Sequence, residues 1–543
     1  MNSRPLARTA SPATALLLAA ILTACQPQDP ALTLDQAFAS LDVDAFLEHM
    51  NTLSSDAMAG RRPGTAGYDA AAAYVAREAQ AAGLEPGGAN GTYLQPIRFR
   101  RAGLGSQGAT LTVGSQVLAH GTDFSVSPRV TEARTQLRAP LVFLGYGISA
   151  ADLGYDDYDG VEVAGKLAVV LSGAPDGFGS LERTVLSHGK TVEAELIARG
   201  AAGIIRVQPD GARLVSGGRT GYLVPGEPVA DVFSSEELSG SVTVPERIAA
   251  AWVATAGHDL NELRARIASG RPSSFDLDVE GRFEAWYDHE EFESANVAAR
   301  LPGSDRELRD EHLVVTAHLD HLGTGAPLNG DSIFNGTLDN ASGSAAILTL
   351  AATLARMERP RRSILFLWVT AEESGMLGSE YFARFPTLES GRIVANQNMD
   401  GVMGMIAAAT DVLAFGYEHS NLSEAVDFAV ARTGNPVSPD PTPEENLFVR
   451  SDQYAFVRQG IPAIWVQAGR TSVDPAIDAQ GELDRWIVER YHKPTDDTAQ
   501  PVDLRGVRSE LENNLLVTVH IANEMGDVRW DPGSFLGRRW GGG

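Results

Sequence analysis

The chain contains a single cysteine, Cys25, among 543 residues. One thiol cannot form an intramolecular disulfide, so the fold must be stable without internal disulfide bonds. Positive charge is also scarce, because 44 lysines and arginines are outnumbered by 70 aspartates and glutamates, which gives a formal net charge of −26. A surface of this sign repels phosphates, and we therefore expect no nucleic acid partner.

Long hydrophobic runs are missing as well. The apolar run Ala13–Leu22 follows Arg4 and Arg8, and it is shorter than the roughly 20 residues that a membrane span requires. This pattern is typical of a signal peptide, which we assign to residues 1–24. An uncleaved anchor is the alternative.

The end of this segment, Leu22-Thr23-Ala24-Cys25, resembles the lipobox of bacterial lipoproteins. The resemblance implies export to the bacterial cell envelope, with a lipid on Cys25 as the only attachment to a membrane. Gln26 after the cysteine favours the outer membrane in a Gram-negative host, and residues 25–32 would form a short polar tether. A chance cysteine at this position is the competing interpretation.

The length and patterning of the remaining chain predict more than one folded unit, since a domain usually has roughly 100–200 residues. Apolar residues at helical spacing predict a helix over Ala66–Leu84, and a β-rich unit is predicted for residues 109–281. After Arg282, strands and helices alternate to residue 530. That alternation predicts an α/β fold with a mostly parallel sheet sandwiched by helices. The tail, residues 531–543, is expected to be loose.

The unit at residues 109–281 has a recognisable order of elements. Buried strands at residues 141–148 and 165–171 precede a helix at residues 191–199 and a further strand at residues 200–207. This order resembles the protease-associated domain, a small β-rich insert of several exported peptidases. Such an insert would either cover a cleft or simply provide a surface.

Histidine and carboxylate side chains follow a predicted buried strand at Val314–Thr316. His318 and Asp320 come directly after it, and the carboxyl ends of strands in open α/β sheets are where ligands bind. His318 could bind a metal through one ring nitrogen, with the Asp320 carboxylate accepting the other ring N–H. A lone histidine at such a position is more often structural.

Asp339 lies in the turn-rich loop Gly336–Gly343, which leads into a long apolar helix. Aspartate is common as a helix cap. Ser342 lies closer to the apolar run and can supply the cap itself, so we expect Asp339 to be free to bind a metal.

Two adjacent carboxylates, Glu372 and Glu373, follow the fully apolar strand Ile364–Val369. Like charges this close raise each other's pKa unless a cation or solvent compensates. One could coordinate a metal while the other faces a reacting water, although spacing does not show which does which. An exposed acidic turn is the alternative.

Two more residues complete the set of candidates. Asp400 follows the predicted strand Ile393–Asn396, and His492 lies in a proline-broken loop far downstream. A fourth carboxylate at the end of a strand is difficult to explain as coincidence.

The order of these residues resembles the di-zinc aminopeptidase family that also contains glutamate carboxypeptidase. The matching motifs are His318-x-Asp320, Asp339-Asn340-Ala341-Ser342-Gly343, Glu372-Glu373, Asp400 and Tyr491-His492, with further family segments at Leu53-Ser54-Ser55-Asp56, Gly60-Arg61-Arg62-Pro63-Gly64-Thr65 and Ser451-Asp452-Gln453-Tyr454.

The resemblance implies a role for each residue. Asp339 would bridge two zinc ions, with His318 and Asp400 completing one site and Glu373 and His492 the other. Cobalt or manganese could replace zinc at imidazole and carboxylate ligands. Glu372 would be the general base, and Asp320 is assigned to the catalytic group with it. Gln453 stands where family members often have histidine, which puts substrate contacts near that loop in doubt.

The implied function is an exported aminopeptidase acting on peptides, with residues 33–108 and 282–530 forming the peptidase unit. A glutamate-type carboxypeptidase or dipeptidase on the same fold is the alternative. A glutaminyl cyclase would be expected to hold one zinc, and a non-catalytic ectodomain would be expected to have lost ligands. The oligomeric state is left open.

Overall fold

A computed structural model describes residues 30–226 and 238–542 of the chain. Cys25 and the predicted signal peptide lie outside the described residues, as does most of the predicted tether. The helices are α1 Leu34–Ala39, α2 Val43–Leu53, α3 Ala66–Ala81, α4 Ser180–Ser187, α5 Gly189–Ala198, α6 Glu246–Thr255, α7 Leu260–Ala268, α8 Gly343–Ala355, α9 Leu377–Arg384, α10 Ser423–Thr433, α11 Gln453–Val457, α12 Ala479–Glu489, α13 Leu504–Asn523 and α14 Phe535–Trp540.

The strands belong mainly to one large sheet. They are β1 Glu85–Pro86, β2 Leu94–Val113, β3 Gln116–Leu118, β4 Ser125–Val126, β5 Arg134–Leu144, β6 Ser149–Ala150, β7 Tyr155–Asp156, β8 Leu167–Leu171, β9 Gly203–Gln208, β10 Arg219–Tyr222, β11 Gly240–Pro245, β12 Ser274–Leu301, β13 Glu311–His318, β14 Gly323–Leu328, β15 Asp331–Phe334, β16 Ser363–Val369, β17 Arg392–Asn398, β18 Val412–Phe415 and β19 Ala463–Ala468.

The main sheet has the strand order β18-β19-β17-β13-β16-β12-β5-β8-β9-β11-β4. Strands β19, β17, β13 and β16 are parallel neighbours, and so are β5, β8, β9 and β11. Antiparallel pairs occur at β18 and on both sides of β12. The predicted α/β fold with a mostly parallel sheet is therefore confirmed.

Both faces of the sheet are buried by helices, as strand β16 shows. Ile364, Phe366 and Trp368 belong to the core under α2, α3, α8, α10 and α13. Leu365 and Leu367 face the opposite side and pack in a smaller cluster with residues of α9 and α11. Alternate side chains of a strand point to opposite faces, so a continuous apolar run fits a strand covered on both sides.

Strand β12 joins the two predicted units into one sheet. Its first part, Ser274–Trp286, pairs with β5, while Val297–Leu301 pairs with β16. Strand β2 runs antiparallel to β12 from Leu94 to Val113. The predicted boundaries at residues 108/109 and 281/282 thus fall inside two long continuous strands.

The unit at residues 109–281 is less purely β than expected. Helices α4, α5, α6 and α7 belong to it, and its strands β5, β8, β9 and β11 are parallel. A helix was predicted only at residues 191–199, where α5 lies. The glycine-punctuated strands masked the α/β alternation in the rest of this unit.

The tail was expected to be loose, and the structure differs. Helix α14 follows Asp531, with Phe535 and Leu536 buried in the core. The indole of Trp530 donates to the carbonyl of Gly460 at 2.8 Å. Phe535 and Leu536, together with the partly buried Trp540, anchor the tail to the core. Among the described residues, no helix combines the length and apolarity that crossing a membrane would require.

Candidate metal centre

Three neighbouring parallel strands deliver the candidate ligands to one place. Strand β13 ends at His318, β16 ends three residues before Glu372, and β17 ends two residues before Asp400. Their order in the sheet is β17-β13-β16, so their carboxyl ends share one edge. The sheet topology thus brings the predicted strand-end residues together, as expected for open α/β sheets.

Asp339 lies between two groups of side chains. Its Oδ1 is 3.3 Å from His318 Nε2, and that nitrogen is 3.2 Å from Asp400 Oδ1. Its Oδ2 is 3.2 Å from His492 Nε2, which is 3.2 Å from Glu373 Oε2. All five predicted metal ligands therefore converge, with one carboxylate common to both groups.

These spacings suit a small divalent cation in each group. Two atoms bound to one zinc ion at about 2.0–2.1 Å in a tetrahedral shell lie roughly 3.3 Å apart. The four distances between donor atoms given above are 3.2–3.3 Å. Imidazole nitrogen and carboxylate oxygen are ordinary zinc donors, and three protein donors in each group would leave a fourth position open. The residues present therefore fit the metal.

The second ring nitrogen of His318 fixes how the ring is presented. Nδ1 lies 3.1 Å from the backbone carbonyl of Asp320, so it donates there and leaves Nε2 as the donor atom for a metal. The sequence predicted this contact for the Asp320 carboxylate, and the structure shows the backbone instead. A two-residue spacing brings either acceptor within reach of the ring.

The Asp320 carboxylate binds the backbone of the segment that carries the two glutamates. It accepts hydrogen bonds from the backbone N–H groups of Glu372 at 3.0 Å and Glu373 at 3.4 Å. Burial raises the pKa of Asp320 to about 7, and the neighbouring His318 opposes the shift. Asp320 therefore positions the backbone of the two glutamates, and its assignment as a catalytic residue stays a prediction.

Glu372 and Glu373 have different neighbours, and these indicate different roles. Glu373 contacts His492, whereas Glu372 lines the adjacent cavity with His318 and Asp400. Burial raises the pKa of Glu372 well above its usual value, His318 opposes this shift, and negative charges nearby add to it. The geometry thus separates two residues that sequence spacing alone could not distinguish.

The loop carrying Asp339 is held by a carboxylate that sequence reasoning missed. Asp496 is fully buried and accepts from the backbone N–H groups of Leu338 at 3.0 Å and Asp339 at 3.1 Å. It lies four residues after His492 in the same loop, so one contact joins two ligand-bearing segments. Its position in a polar, proline-broken loop gave no sign of burial.

The start of helix α8 also differs from expectation. Ser342 was predicted to cap it, but its hydroxyl donates to the carbonyl of Leu338 at 2.8 Å. The Asn340 side-chain oxygen accepts instead from the N–H groups of Gly343 and Gly401, each at 2.9 Å. Asp339 remains uninvolved in the cap, as the metal interpretation requires.

Arg61 is a second residue to which the sequence assigned no role. Its side chain is fully buried and donates to the carbonyls of Leu53, Leu319, Asn335 and Gly336 at 2.6–2.9 Å. Burial lowers the pKa of Arg61 to about 10, which leaves the guanidinium charged at neutral pH, and nearby carboxylates oppose the shift.

Gly60 allows the backbone next to Arg61 to lie close to the carbonyl oxygen of Gly323. It has φ of +67°, and a Cβ there would lie 2.4 Å from the carbonyl oxygen of Gly323. The only sequence signal for this contact was the Gly60-Arg61 pair within a segment that resembles the family.

A cavity of about 430 Å³ opens from the metal centre. Apolar side chains form much of its wall, namely Leu338, Met403, Leu413, Phe415, Leu447, Trp465, Leu483, Trp486 and Ile487. Its charged lining contains six carboxylates and two arginines. The volume is in the range of small-molecule sites.

None of the described residues of the unit at 109–281, which exclude 227–237, lines this cavity. The unit contacts the loops around the cavity instead. Lys190 Nζ donates to the carbonyl of Gly375 at 3.2 Å and pairs with Glu380 at 2.8 Å. These contacts join the unit to the loop after Glu373, and the lid stays a prediction.

Gln453, the departure from the family pattern, is buried between two segments. Its side-chain oxygen accepts from Asn398 Nδ2 at 2.6 Å, and its Nε2 donates to the carbonyl of Phe448 at 2.8 Å. It ties the end of β17 to the cavity wall and does not contact the ligands.

Comparison with known proteins finds similarity to peptidases over part of the chain. Residues 296–517 match the model of a protein family described as Peptidase family M28. The chain is 28% identical over 206 residues to Leupeptin-inactivating enzyme 1 of Streptomyces exfoliatus, which is 37% of this chain and 42% of that protein. It is 35% identical over 109 residues, 20% of each chain, to a probable zinc metalloprotease of Pyrenophora tritici-repentis. The chain thus spans less than half the length of these curated relatives.

The fold is shared with a solved structure. An aminopeptidase from Aneurinibacillus sp. strain AM-1 superimposes with a TM-score of 0.50 and 18% sequence identity, covering 92% of this chain and 98% of that one. At 18% identity, this likeness shows that the fold is shared.

Replacing Arg61 tests how far the centre depends on this buried cation. We expect Arg61→Met to lower the free energy of unfolding by at least ~3 kcal/mol, because four buried carbonyls lose a charged donor. Arg61→Lys should restore part of the loss. The measurement is urea unfolding, with the exposed neighbour Arg62→Met as the control. Equal stabilities of Arg61→Met and Arg62→Met would contradict this role.

Proposed function

We propose that the protein is an exported di-zinc aminopeptidase that removes residues from the amino terminus of peptides. The observation that supports this most is the pair of three-donor groups sharing Asp339, with Glu372 beside them in the lining of the adjacent cavity. Cobalt or manganese could replace zinc at the same donors.

Each metal would have its own set of residues. One would be held by His318, Asp339 and Asp400, the other by Glu373, Asp339 and His492. Bound metals of this kind polarise a carbonyl and lower the pKa of water toward neutrality, which is the chemistry they would supply here. The carbonyl of Asp320 and the Asp496 carboxylate keep the donors in place.

Glu372 would move the proton. Its carboxylate lies in the cavity wall beside His318 and Asp400, and it is not one of the closely spaced donors. It would accept a proton from the attacking water and deliver it to the leaving amine, acting as general base and then as general acid.

The charge of the cavity does not oppose a free amino terminus. Carboxylates outnumber arginines six to two in its lining, so two divalent ions would leave no excess of positive charge. A substrate ammonium group is compatible with that balance. The apolar wall includes Phe415, Trp465 and Trp486. It would bind the side chain of the first residue of the peptide and would favour a large apolar residue at that position.

Replacing Glu372 separates chemistry from metal binding. We expect Glu372→Gln to lower kcat by a factor of about 10² to 10⁴ while both zinc ions stay bound, because proton transfer is lost but no metal donor is. Metal analysis and kcat on the same sample are the measurements, with the exposed Glu389→Gln as the control. Full turnover in Glu372→Gln, or activity that survives a strong chelator, would contradict the proposal.

Blocking the substrate distinguishes the two chain ends. An aminopeptidase should hydrolyse leucyl and phenylalanyl chromogenic substrates and lose nearly all activity when the amino group is acetylated. A glutamate-type carboxypeptidase should tolerate the block and instead require a free carboxyl terminus. Rates on matched free and acetylated peptides provide the measurement, and rapid cleavage of the acetylated peptide would exclude the aminopeptidase.

We also propose export with a lipid anchor at Cys25. The support is sequence alone, namely the basic start, the apolar run Ala13–Leu22 and the segment Leu22-Thr23-Ala24-Cys25. Mass spectrometry of the protein from a bacterial envelope should find Cys25 as the first residue with a lipid attached. A mature chain that retains residues 1–24 or has an unmodified Cys25 would contradict it.

The unit at residues 109–281 is proposed to be of the protease-associated type. The order of its strands and of helix α5 supports this. Its contact through Lys190 with Gly375 suggests that it steadies the loop after the catalytic glutamates.

A further inference from the structure

A third histidine, His321, lies at the metal centre without being one of the predicted ligands. Its ring is fully buried, and Nδ1 is 2.7 Å from Glu373 Oε1. The distance from Nδ1 to Asp339 Oδ2 is 4.0 Å. The other ring nitrogen, Nε2, is buried without a hydrogen-bond partner.

These distances separate His321 from the ligands. Donor atoms around one tetrahedral zinc ion lie roughly 3.3 Å apart, and the spacings of His318 and His492 to their neighbours match that value. A separation of 2.7 Å is that of a hydrogen bond, and 4.0 Å is too long for the edge of the same shell. His321, Asp339 and Glu373 lie close enough together to hold one ion. The 2.7 Å contact with Oε1 is nevertheless that of a hydrogen bond, so His321 is assigned as a donor to Glu373.

The two oxygens of Glu373 face different partners. Oε1 accepts from His321, while Oε2 lies 3.2 Å from His492 Nε2. With Oε1 held by a hydrogen bond, the carboxylate plane is fixed and Oε2 is turned toward the site that Asp339 and His492 share. A ligand carboxylate without such a partner could rotate away.

The imidazole ring is itself held in place. A Cβ at Gly336 would lie 2.6 Å from the ring atoms Cγ and Cδ2 of His321, so the glycine lets the ring pack directly on the backbone. The backbone N–H of His321 donates to the carbonyl of Arg61 at 3.3 Å. Few alternative ring positions remain in this packing.

We propose that His321 is a positioning residue that orients Glu373 through an Nδ1–H hydrogen bond and thereby sets the zinc affinity of the Glu373–His492 site. This inference rests on the proposed two-metal function. Partners that orient metal ligands typically change metal affinity or activity by about 10–100-fold when they are removed.

The test uses two variants of nearly equal size. In His321→Asn, the side-chain Nδ2 is bonded to Cγ as Nδ1 of histidine is, so it can keep the donor. His321→Leu has the same branching but no donor. The buried His312, whose Nε2 contacts the carbonyl of Ser390 at 3.0 Å away from the centre, provides the control His312→Leu.

Zinc binding is measured by competition with a chromogenic chelator on the purified full chain. We expect His321→Leu to weaken one of two zinc sites about 10–100-fold, and His321→Asn and His312→Leu to stay close to the wild type. In the activity assay, kcat of His321→Leu should fall at saturating substrate and recover with added zinc. If His321→Leu does not fold, the test uses His321→Gln instead, in which the side-chain donor lies one bond further from the backbone.

The outcomes separate the inference from the proposed function. If both zinc affinities of His321→Leu equal those of the wild type, the role of His321 is overturned and the two-metal proposal is left intact. A wild type that holds only one zinc would overturn both. A selective loss of zinc in His321→Leu would support the inference even if the favoured substrate proved not to be an amino-terminal one.

Discussion

The guanidinium of Arg61 is the contact on which the centre depends. It joins the carbonyl at the end of α2 to those at the start of two ligand-bearing loops, through Leu53, Leu319 and Gly336. Buried carbonyls need donors, and a single planar cation supplies several at fixed angles. Its charge also lies among carboxylates that would otherwise repel one another before any metal binds.

Much of the sheet and of the ligand set was predictable from the sequence. Apolar strands such as Ile364–Val369 are unambiguous because both faces are buried, and their carboxyl ends identify where polar side chains converge. His318, Asp400 and the glutamate pair follow directly from that rule. The two candidate ligands in loops were harder to predict. His492 depended on the resemblance, and Asp339 on the expectation that Ser342 caps the helix.

The residues that sequence reasoning missed have a common property. Arg61, His321 and Asp496 act on the ligands through hydrogen bonds to backbone or carboxylate atoms, and their partners are distant in sequence. Such contacts leave no periodic pattern. The contact expected between His318 and the Asp320 carboxylate differs for a related reason, because the Asp320 backbone carbonyl competes with its side chain for the same donor.

Strand β12 imposes a limit on how this chain could be shortened. One end pairs with β5 and the other with β16, next to the strand that carries His318. Excision of residues 109–281 would cut β2 and β12 within their pairing and leave unmatched edges beside the catalytic strands. Although the described residues of the middle unit line no part of the cavity, this unit cannot be removed at those boundaries without disrupting the sheet that carries the candidate metal centre.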